Sequence, residues 1–307
     1  MISKFFSKSK PIHYIVVSVL LLLVFLYAKL EIFDQGANVF FFSKQIGLFL
    51  ISLFSIFVFD FFVTRNGLTK KNSYNIVLFV LYIAILPQTL LNTSILISNF
   101  FILLALRRII SLRSQKEIKK KLFDASFWVA LATLFYFWSS VFFVLIFAAL
   151  LVYVITDVKN YIIPIIAVLT VVILVVSYFI IRDWDILEYA LGLFDYSLDF
   201  SALNSKRIII GSTLLLSFGL WSLFYYIKNI KAKMKSYRPS YKLIILTAIL
   251  GLFIIAVAPL KNGSEFIFLF APLSIIMTNY LEVIKEKWFK ETFLWVIFLT
   301  PIALLVL

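Results

Sequence analysis

Apolar runs about the length of one membrane crossing alternate with short polar links along the whole chain. Seven of these runs fall near residues 13–30, 46–64, 161–181, 208–227, 243–259, 266–281 and 292–307. A bilayer core about 30 Å thick is crossed by about 20 apolar residues of helix. The pattern therefore predicts a single transmembrane domain over residues 1–307, with no separate soluble domain.

Two further runs, residues 74–106 and 125–156, are too long for one crossing and short for two. Each would reach roughly 48 Å as one helix. Pro87-Gln88 and the polar triplet 92–94 interrupt the first run, and Trp138-Ser139-Ser140 interrupts the second. Such residues are typical of tight turns between helices. We expect two hairpins of short helices, which need shielding by neighbours or leave water-accessible cavities at one face.

The basic residues decide between hairpins and single helices. With two hairpins there are eleven spans, and the cytoplasmic links hold 23 of the 29 Lys and Arg residues. Treating only one run as a single helix would move a basic cluster, 107–121 or 228–242, to the outer side, against the positive-inside rule. The prediction is an all-α polytopic bundle of about eleven transmembrane helices in the cell inner membrane. Its amino terminus is cytoplasmic, within an uncleaved anchor, and its carboxyl terminus is outside.

Composition supports this assignment and narrows the chemistry. The chain is 63% hydrophobic and only 14% charged, which the surface of a water-soluble globular protein does not accommodate. Membrane topology, rather than nucleic-acid binding, explains the net charge of +14. Because the chain has no cysteine, disulfides, thiol nucleophiles and cysteine metal sites are excluded. We expect no metal centre and no bound cofactor.

Few ionisable residues fall inside the predicted spans. Asp60 lies near the cytoplasmic end of the second span, and the lone His13 lies at the cytoplasmic mouth of the first, where an interfacial anchor is the simpler interpretation. No span has the central chain of carboxylates that proton-coupled transport uses. A proton relay is therefore not expected.

Most candidate chemistry falls on the outer links. Glu31 and Asp34 follow the first span, and Lys261, Arg182 and Arg207 come from other outer segments. A carboxylate at the membrane face can act as a general base or bind a divalent ion, or it can be a solvated charge that ends a helix. Three cations on one face suit a lipid phosphate, because Arg and Lys make charge-assisted hydrogen bonds to phosphate oxygens. Scattered outer cations are also ordinary.

The longest outer link is the segment 182–207. Acidic residues alternate there with apolar positions that recur every three or four residues, namely Trp184, Leu187, Leu191, Phe194 and Leu198. This spacing predicts an amphipathic helix in the outer interface. Acidic residues on its polar face disfavour anchoring to anionic lipid. The helix would instead connect spans, cover a cavity or dock a partner.

Three stretches share a layout with a known class of enzyme. Phe33-Asp34-Gln35 precedes a stretch, 39–44, that suits the membrane surface, the two long runs form paired short helices, and residues 261–266 lead into an aromatic-rich span containing Pro272. This layout resembles the membrane-embedded glycosyltransferases of the GT-C superfamily, which take sugar from a polyprenyl-phosphate donor. The resemblance implies a GT-C-like fold with Asp34 as catalytic base. A second outer acid, Glu31, lies close by in the chain.

Three functions fit these features. The first is GT-C-like transfer of a sugar from a polyprenyl-phosphate donor to an acceptor at the outer face, with the donor phosphate held by Lys261 and Arg182 or Arg207. The second is a non-enzymatic subunit or scaffold of an envelope complex for secretion, motility or glycan assembly. Gln35, where GT-C enzymes often have a second acid, is compatible with such a non-catalytic relative. The third is a transporter of a lipid-linked substrate. Membrane lipids, and other inner-membrane subunits in the second case, are the expected partners.

Overall fold

The structure, a computed structural model, describes residues 1–33, 39–185, 189, 192 and 195–306, and the side chains of residues 31–33 and 306 lie outside that description. Twelve α-helices fall wholly within the described residues, and no strand occurs among them. In chain order they are α1 (Ile2–Phe6), α2 (Pro11–Phe33), α3 (Val39–Arg65), α4 (Tyr74–Ile85), α5 (Thr93–Ser111), α6 (Ile118–Phe135), α7 (Phe143–Val152), α8 (Lys159–Ile181), α9 (Lys206–Ile230), α10 (Arg238–Val257), α11 (Ile267–Val283) and α12 (Lys287–Val306).

Eight of these helices are long and apolar enough to cross a membrane, namely α2, α3, α5, α8, α9, α10, α11 and α12. The most apolar stretch of α11 is 89% buried, whereas the corresponding stretches of α2 and α8 are only 22% buried. Helix α11 is therefore central, and α2 and α8 are peripheral. Their outward apolar faces are unfavourable in water and favourable among lipid chains. The chain is a helical membrane protein, as its pattern predicts.

The run 74–106 forms a hairpin of one short helix, α4, and one longer helix, α5. Helices α4 and α5 are joined by a 3-10 turn, and the other end of each helix contacts the same part of α3. Asn75 donates a hydrogen bond from Nδ2 to Asp60 Oδ1 at 2.9 Å. The guanidinium of Arg107 lies 4.9 Å from the ring centroid of Phe61. The chain therefore reverses direction where the sequence predicts a turn.

The run 125–156 also reverses direction, through the 3-10 segment Phe137–Phe142. The link before α6 and the residue after α7 meet, because Gln115 Nε2 donates a hydrogen bond to Tyr153 O at 2.9 Å. Both interruptions in the sequence are confirmed as turns. Helices α4 and α7 have only 12 and 10 residues, so the count of eleven crossings and the location of each terminus stay predictions.

The links between helices gather at two ends of the bundle. We call the end that holds residues 1–10, 66–73, 112–117, 153–158, 231–237 and 284–286 the N-terminal end, and the end that holds residues 86–92, 136–142, 182–185, 195–205 and 258–266 the far end. Contacts join the links within each end. At the N-terminal end, Tyr241 Oη donates to Leu68 O at 3.0 Å. At the far end, Ser264 Oγ donates to Gln88 O, also at 3.0 Å.

Residues 39–44 do not form a separate helix ahead of the second span. These residues form the first turns of α3, which continues without a break to Arg65. The reason is local, because the chain from Val39 to Arg65 has no proline, and Gly47 is its only glycine. Nothing in this stretch ends a helix before the apolar span begins.

The amphipathic helix predicted across residues 182–207 does not extend through residues 182–185 or 195–205. Residues 195–200 have no helical structure, and a single 3-10 turn spans Ser201–Leu203. Part of the backbone there bonds to the bundle. Asp195 O accepts from Trp138 Nε1 at 2.9 Å, and Ser197 N–H donates to Val257 O at 3.3 Å. Three of the five apolar positions, Leu187, Leu191 and Phe194, lie outside the described residues.

Candidate functional site at the far end

Three segments of the chain pack together at the far end. The turn 258–266 lies between the turn of the first hairpin and the start of α9. Its Gly263 has a φ angle of +91°, which favours glycine. A Cβ at this position would lie 3.5 Å from Ile208 Cδ1 and 3.7 Å from Gln88 Cβ. The close approach of these segments brings their polar side chains into one cluster.

Gln88, Tyr136 and Glu265 have unused hydrogen-bonding capacity in this cluster. The Gln88 Oε1, Tyr136 Oη and Glu265 Oε1 atoms are buried and lack a hydrogen-bond partner. Backbone N–H groups of the 261–265 turn stabilise the Glu265 carboxylate electrostatically, but none makes a hydrogen bond of good geometry to Oε1. Buried polar atoms without partners are uncommon in native proteins. The cluster is therefore a candidate place for a bound polar group.

Tyr136 sits at the tip of the second hairpin and connects it to the cluster. Its ring stacks on that of Phe268, with centroids 5.8 Å apart and planes inclined by 16°. Burial raises the pKa of the Tyr136 phenol, and the negative charge of Glu265 raises it further. The phenol therefore stays protonated at neutral pH and can donate a hydrogen bond.

Lys261 is buried inside the far end rather than open to a ligand. Only 1% of its side chain is exposed. Its ammonium donates a hydrogen bond to Ser197 O and lies 4.1 Å from the ring centroid of Phe200. It also acts electrostatically on Asp199, whose pKa is lowered mainly by hydrogen bonds from the Ser201 backbone and hydroxyl and less by Lys261. The charge of Lys261 therefore holds the segment 195–200 against the bundle.

Arg207 lies beside an apolar groove formed by α2, α4 and α12, because it bonds to the lining residue Tyr27. The groove has a volume of about 220 Å³ and is lined by residues such as Leu81, Phe298 and Pro301. Tyr27 is its lining residue closest to the end of α2, and Arg207 Nη1 donates to Tyr27 Oη at 3.0 Å. An apolar groove in the membrane thus ends at a cation.

Arg182 is separate from both of these cations. Its guanidinium lies 5.7 Å from the ring centroid of Tyr178, one turn earlier along the chain. The three basic residues predicted to clamp one phosphate therefore contact different neighbours: Ser197 for Lys261, Tyr27 for Arg207 and Tyr178 for Arg182. Of the three, Arg207 is the one that bonds to a lining residue of the groove between α2, α4 and α12.

Neither of the two predicted carboxylates, Glu31 and Asp34, has a described side chain. Asp34 lies outside the described residues, and of Glu31 only the backbone is described. Two residues before Glu31, the buried ammonium of Lys29 donates to Leu91 O at 3.3 Å. The end of α2 is thereby tied to the turn of the first hairpin. Helix α2 therefore ends at the far end.

Sequence reasoning missed Gln88, Tyr136 and Glu265 as site residues. Each lies at or beside a break in the apolar pattern of the sequence, so the sequence predicts their location in turns. It does not predict that the three side chains come together, because that depends on which turns pack against each other. Within the described part of the chain, no three His, Asp or Glu side chains are close enough to hold a metal ion.

These features define a polytopic helical membrane protein with a cluster of buried polar side chains at one end and an apolar groove that opens beside it. The chain belongs to a family of unknown function, DUF6427, whose model matches residues 1–306. No curated protein and no solved structure matches the chain.

Proposed function

We propose that this protein transfers a sugar from a polyprenyl-phosphate donor to an acceptor at the far end of the bundle, on the outer face of the inner membrane. The observation behind the proposal is the apolar groove that ends at Arg207. A prenyl chain needs an apolar surface within the membrane, and its phosphate needs a cation at the membrane face. The groove offers the apolar surface, and Arg207 beside it offers the cation.

The position of Arg207 relates the groove to the polar cluster. Ile208, the next residue, packs on the turn at Gly263 and so lies beside Gln88. A donor with its chain in the groove and its phosphate at Arg207 would present its sugar toward Gln88 and Glu265. The unpartnered Oε1 atoms of these residues would accept hydrogen bonds from sugar hydroxyls. Lys261 would act as a positioning residue, because its ammonium is already bonded to Ser197 O.

The chemical step follows the GT-C resemblance. Asp34 takes the proton of the acceptor hydroxyl or amide, and the acceptor atom forms a bond to the anomeric carbon of the sugar. The bond from that carbon to the phosphate oxygen breaks, and polyprenyl phosphate leaves with the electron pair. Arg207 stabilises the leaving phosphate. Glu31 is a second carboxylate near the reaction, and no metal is required in this scheme.

A donor-consumption assay tests the proposal. Membranes that contain the protein would be incubated with a polyprenyl-phosphate sugar labelled in the sugar, and release of polyprenyl phosphate would be measured. Asp34→Asn should abolish the reaction. Arg207→Gln should lower its rate by about a hundredfold, as expected for loss of one charge-stabilising donor. Lys206→Gln is the matched control, because Lys206 is an exposed cation next to Arg207 in the chain, and it should react like the wild type. Equal rates for the two glutamine variants would contradict the proposal.

A structural role in an envelope complex is the second candidate, and helix α8 favours it. This helix is peripheral, and its outward row of Ile162, Ile166, Leu169 and Ile173 is exposed. Lipid or a helix of another subunit would cover such a row. If a helix of another subunit covers it, alanine at Leu169 and Ile173 should release a specific partner during purification in mild detergent. Alanine at Leu220 and Phe224, which are equally exposed on α9, should not.

A further inference from the structure

A second cleft opens between the far-end halves of α6 and α8. It has a volume of about 1200 Å³ and does not share a lining residue with the groove beside Tyr27. Its walls are aliphatic, with Leu131 and Leu134 from α6 and Val171 and Leu174 from α8. Because Leu174 is 57% exposed, the cleft is open on the side of the surrounding membrane. Such a space fits a hydrocarbon chain.

The chain that leaves α8 covers the far end of this cleft. Trp184 N–H donates to Phe179 O at 3.0 Å, and the Trp184 ring packs edge-on against that of Phe179 at 5.6 Å. Tyr189 Oη donates to Leu134 O at 3.1 Å and so reaches the opposite wall. The mouth of the cleft is therefore attached to both helices and has a defined shape.

Charges of both signs follow one another along the chain at this mouth. Arg182, at the end of α8, lies over the Tyr178 ring, and two exposed acids that line the cleft, Asp183 and Asp185, follow it. A purely anionic headgroup would meet one cation and two carboxylates. A zwitterionic headgroup whose inner phosphate is followed by an outer ammonium would match the order. The Trp184 ring, which also lines the cleft, can add a cation–π interaction with an ammonium.

We propose that the cleft binds an amine-headed zwitterionic phospholipid with the chemistry of phosphatidylethanolamine. One acyl chain lies between α6 and α8, the phosphate pairs with Arg182, and the primary ammonium donates hydrogen bonds to Asp183 and Asp185. A choline headgroup has the same net charge but no N–H to donate. This site is independent of the proposed sugar transfer and of the groove at Arg207.

Quenching of Trp184 fluorescence by brominated lipids tests the proposal. The protein would be reconstituted in phosphatidylcholine vesicles that contain equal small fractions of a lipid brominated near its headgroup, with ethanolamine, choline or glycerol as the headgroup. The Trp184 signal is the difference between the wild type and the Trp184→Phe variant. We expect about twofold stronger quenching by the ethanolamine lipid than by the other two, in keeping with one exposed charge pair.

The double variant Asp183→Asn/Asp185→Asn should abolish this preference. Asp183 has a positive φ angle of 51°, which asparagine tolerates well, so the turn should remain intact. The matched control is Glu117→Gln/Glu286→Gln, which removes two exposed acids at the N-terminal end and should keep the preference. Equal quenching by the ethanolamine and choline lipids in the wild type would overturn the proposal. A preference that survives in the double variant would overturn it as well.

Discussion

Asp60 and Glu265 are both buried carboxylates in a membrane bundle, yet their surroundings differ completely. Asp60 is near the N-terminal end, where Oδ2 accepts from Tyr14 Oη at 2.6 Å and Oδ1 accepts from Asn75 Nδ2 at 2.9 Å. The carboxylate thus connects α2, α3 and α4. Its hydrogen-bonding capacity is directed to the fold, and a structural role is sufficient to explain an acid at this depth.

At the far end, Glu265 is stabilised by backbone N–H groups of its own turn and by the charge of Lys261, and one of its oxygens is left over. It is 2% exposed, and its Oε1 atom is unpartnered. The neighbouring Tyr136 and Gln88 also have buried polar atoms without partners. The comparison shows that burial alone does not identify a functional acid. Capacity left over after the fold has formed is the more informative sign, and three side chains with such capacity lie together at the far end.

Asp60→Ala should have the largest effect of the changes considered. It leaves the buried donors of Tyr14 and Asn75 without an acceptor, at a cost of about 3 kcal/mol in the free energy of unfolding. Denaturant unfolding in detergent micelles measures this loss. Asp60→Asn keeps one acceptor oxygen and should lose about half as much. A wild-type stability for Asp60→Ala would remove the distinction between the two carboxylates.

Glu265→Gln should separate function from stability. The amide has nearly the shape of the carboxylate, so the free energy of unfolding should fall by no more than about 1 kcal/mol. Release of polyprenyl phosphate from the labelled donor should fall about tenfold, because one acceptor for the sugar is altered. Unfolding and donor consumption would be measured on the same preparation. A loss of stability as large as that of Asp60→Ala, with unchanged donor consumption, would make Glu265 structural too.

Lys261→Met should loosen one part of the far end. The methionine keeps an apolar side chain of similar length but cannot donate to Ser197 O and lacks the ammonium that lies over the Phe200 ring. Amide hydrogen exchange in residues 195–203 should become about fivefold faster, which corresponds to one hydrogen bond of about 1 kcal/mol. Exchange at the N-terminal end is the internal control. Unchanged exchange in 195–203 would mean that Lys261 does not hold this segment.

The smallest predicted effect is a pH dependence of the turn at Asp199. Hydrogen bonds from Ser201 lower the pKa of this carboxyl group below its value in the unfolded chain. Their contribution is therefore present above the unfolded pKa and is lost as the pH falls through the folded pKa. Amide exchange at Ser201 should accelerate over that range relative to Asp199→Asn at each pH. A parallel response of the two proteins would exclude this role for the carboxylate.

The sequence predicts elements better than contacts in this chain. Pro87 and the Trp138-Ser139-Ser140 triplet interrupt long apolar runs, and both interruptions are turns between helices. Backbone preferences of a few residues decide such turns, so a local pattern is sufficient. The segment 182–207 shows the opposite case, since its helical periodicity does not reveal that Asp195 O bonds to Trp138 Nε1.

The three candidate cations show the same limit for the site. In the sequence, Lys261, Arg182 and Arg207 are equivalent bases on outer links. In the structure, Lys261 is buried against Ser197 and Phe200, whereas Arg207 lies beside an apolar groove. Tertiary packing determines these partners, and the spacing of the residues along the chain does not predict them. The polar cluster around Glu265 could not be predicted from the sequence for the same reason.

Binding of a lipid phosphate at Arg207 is the most direct test of the account. Native mass spectrometry would compare retention of a polyprenyl phosphate and of the polyprenol of equal length by the wild type, Arg207→Gln and Lys206→Gln. We expect the wild type and Lys206→Gln to retain the phosphate in preference to the alcohol, and Arg207→Gln to lose this preference. Equal retention of the phosphate and the alcohol by the wild type, or a preference that survives in Arg207→Gln, would contradict the account.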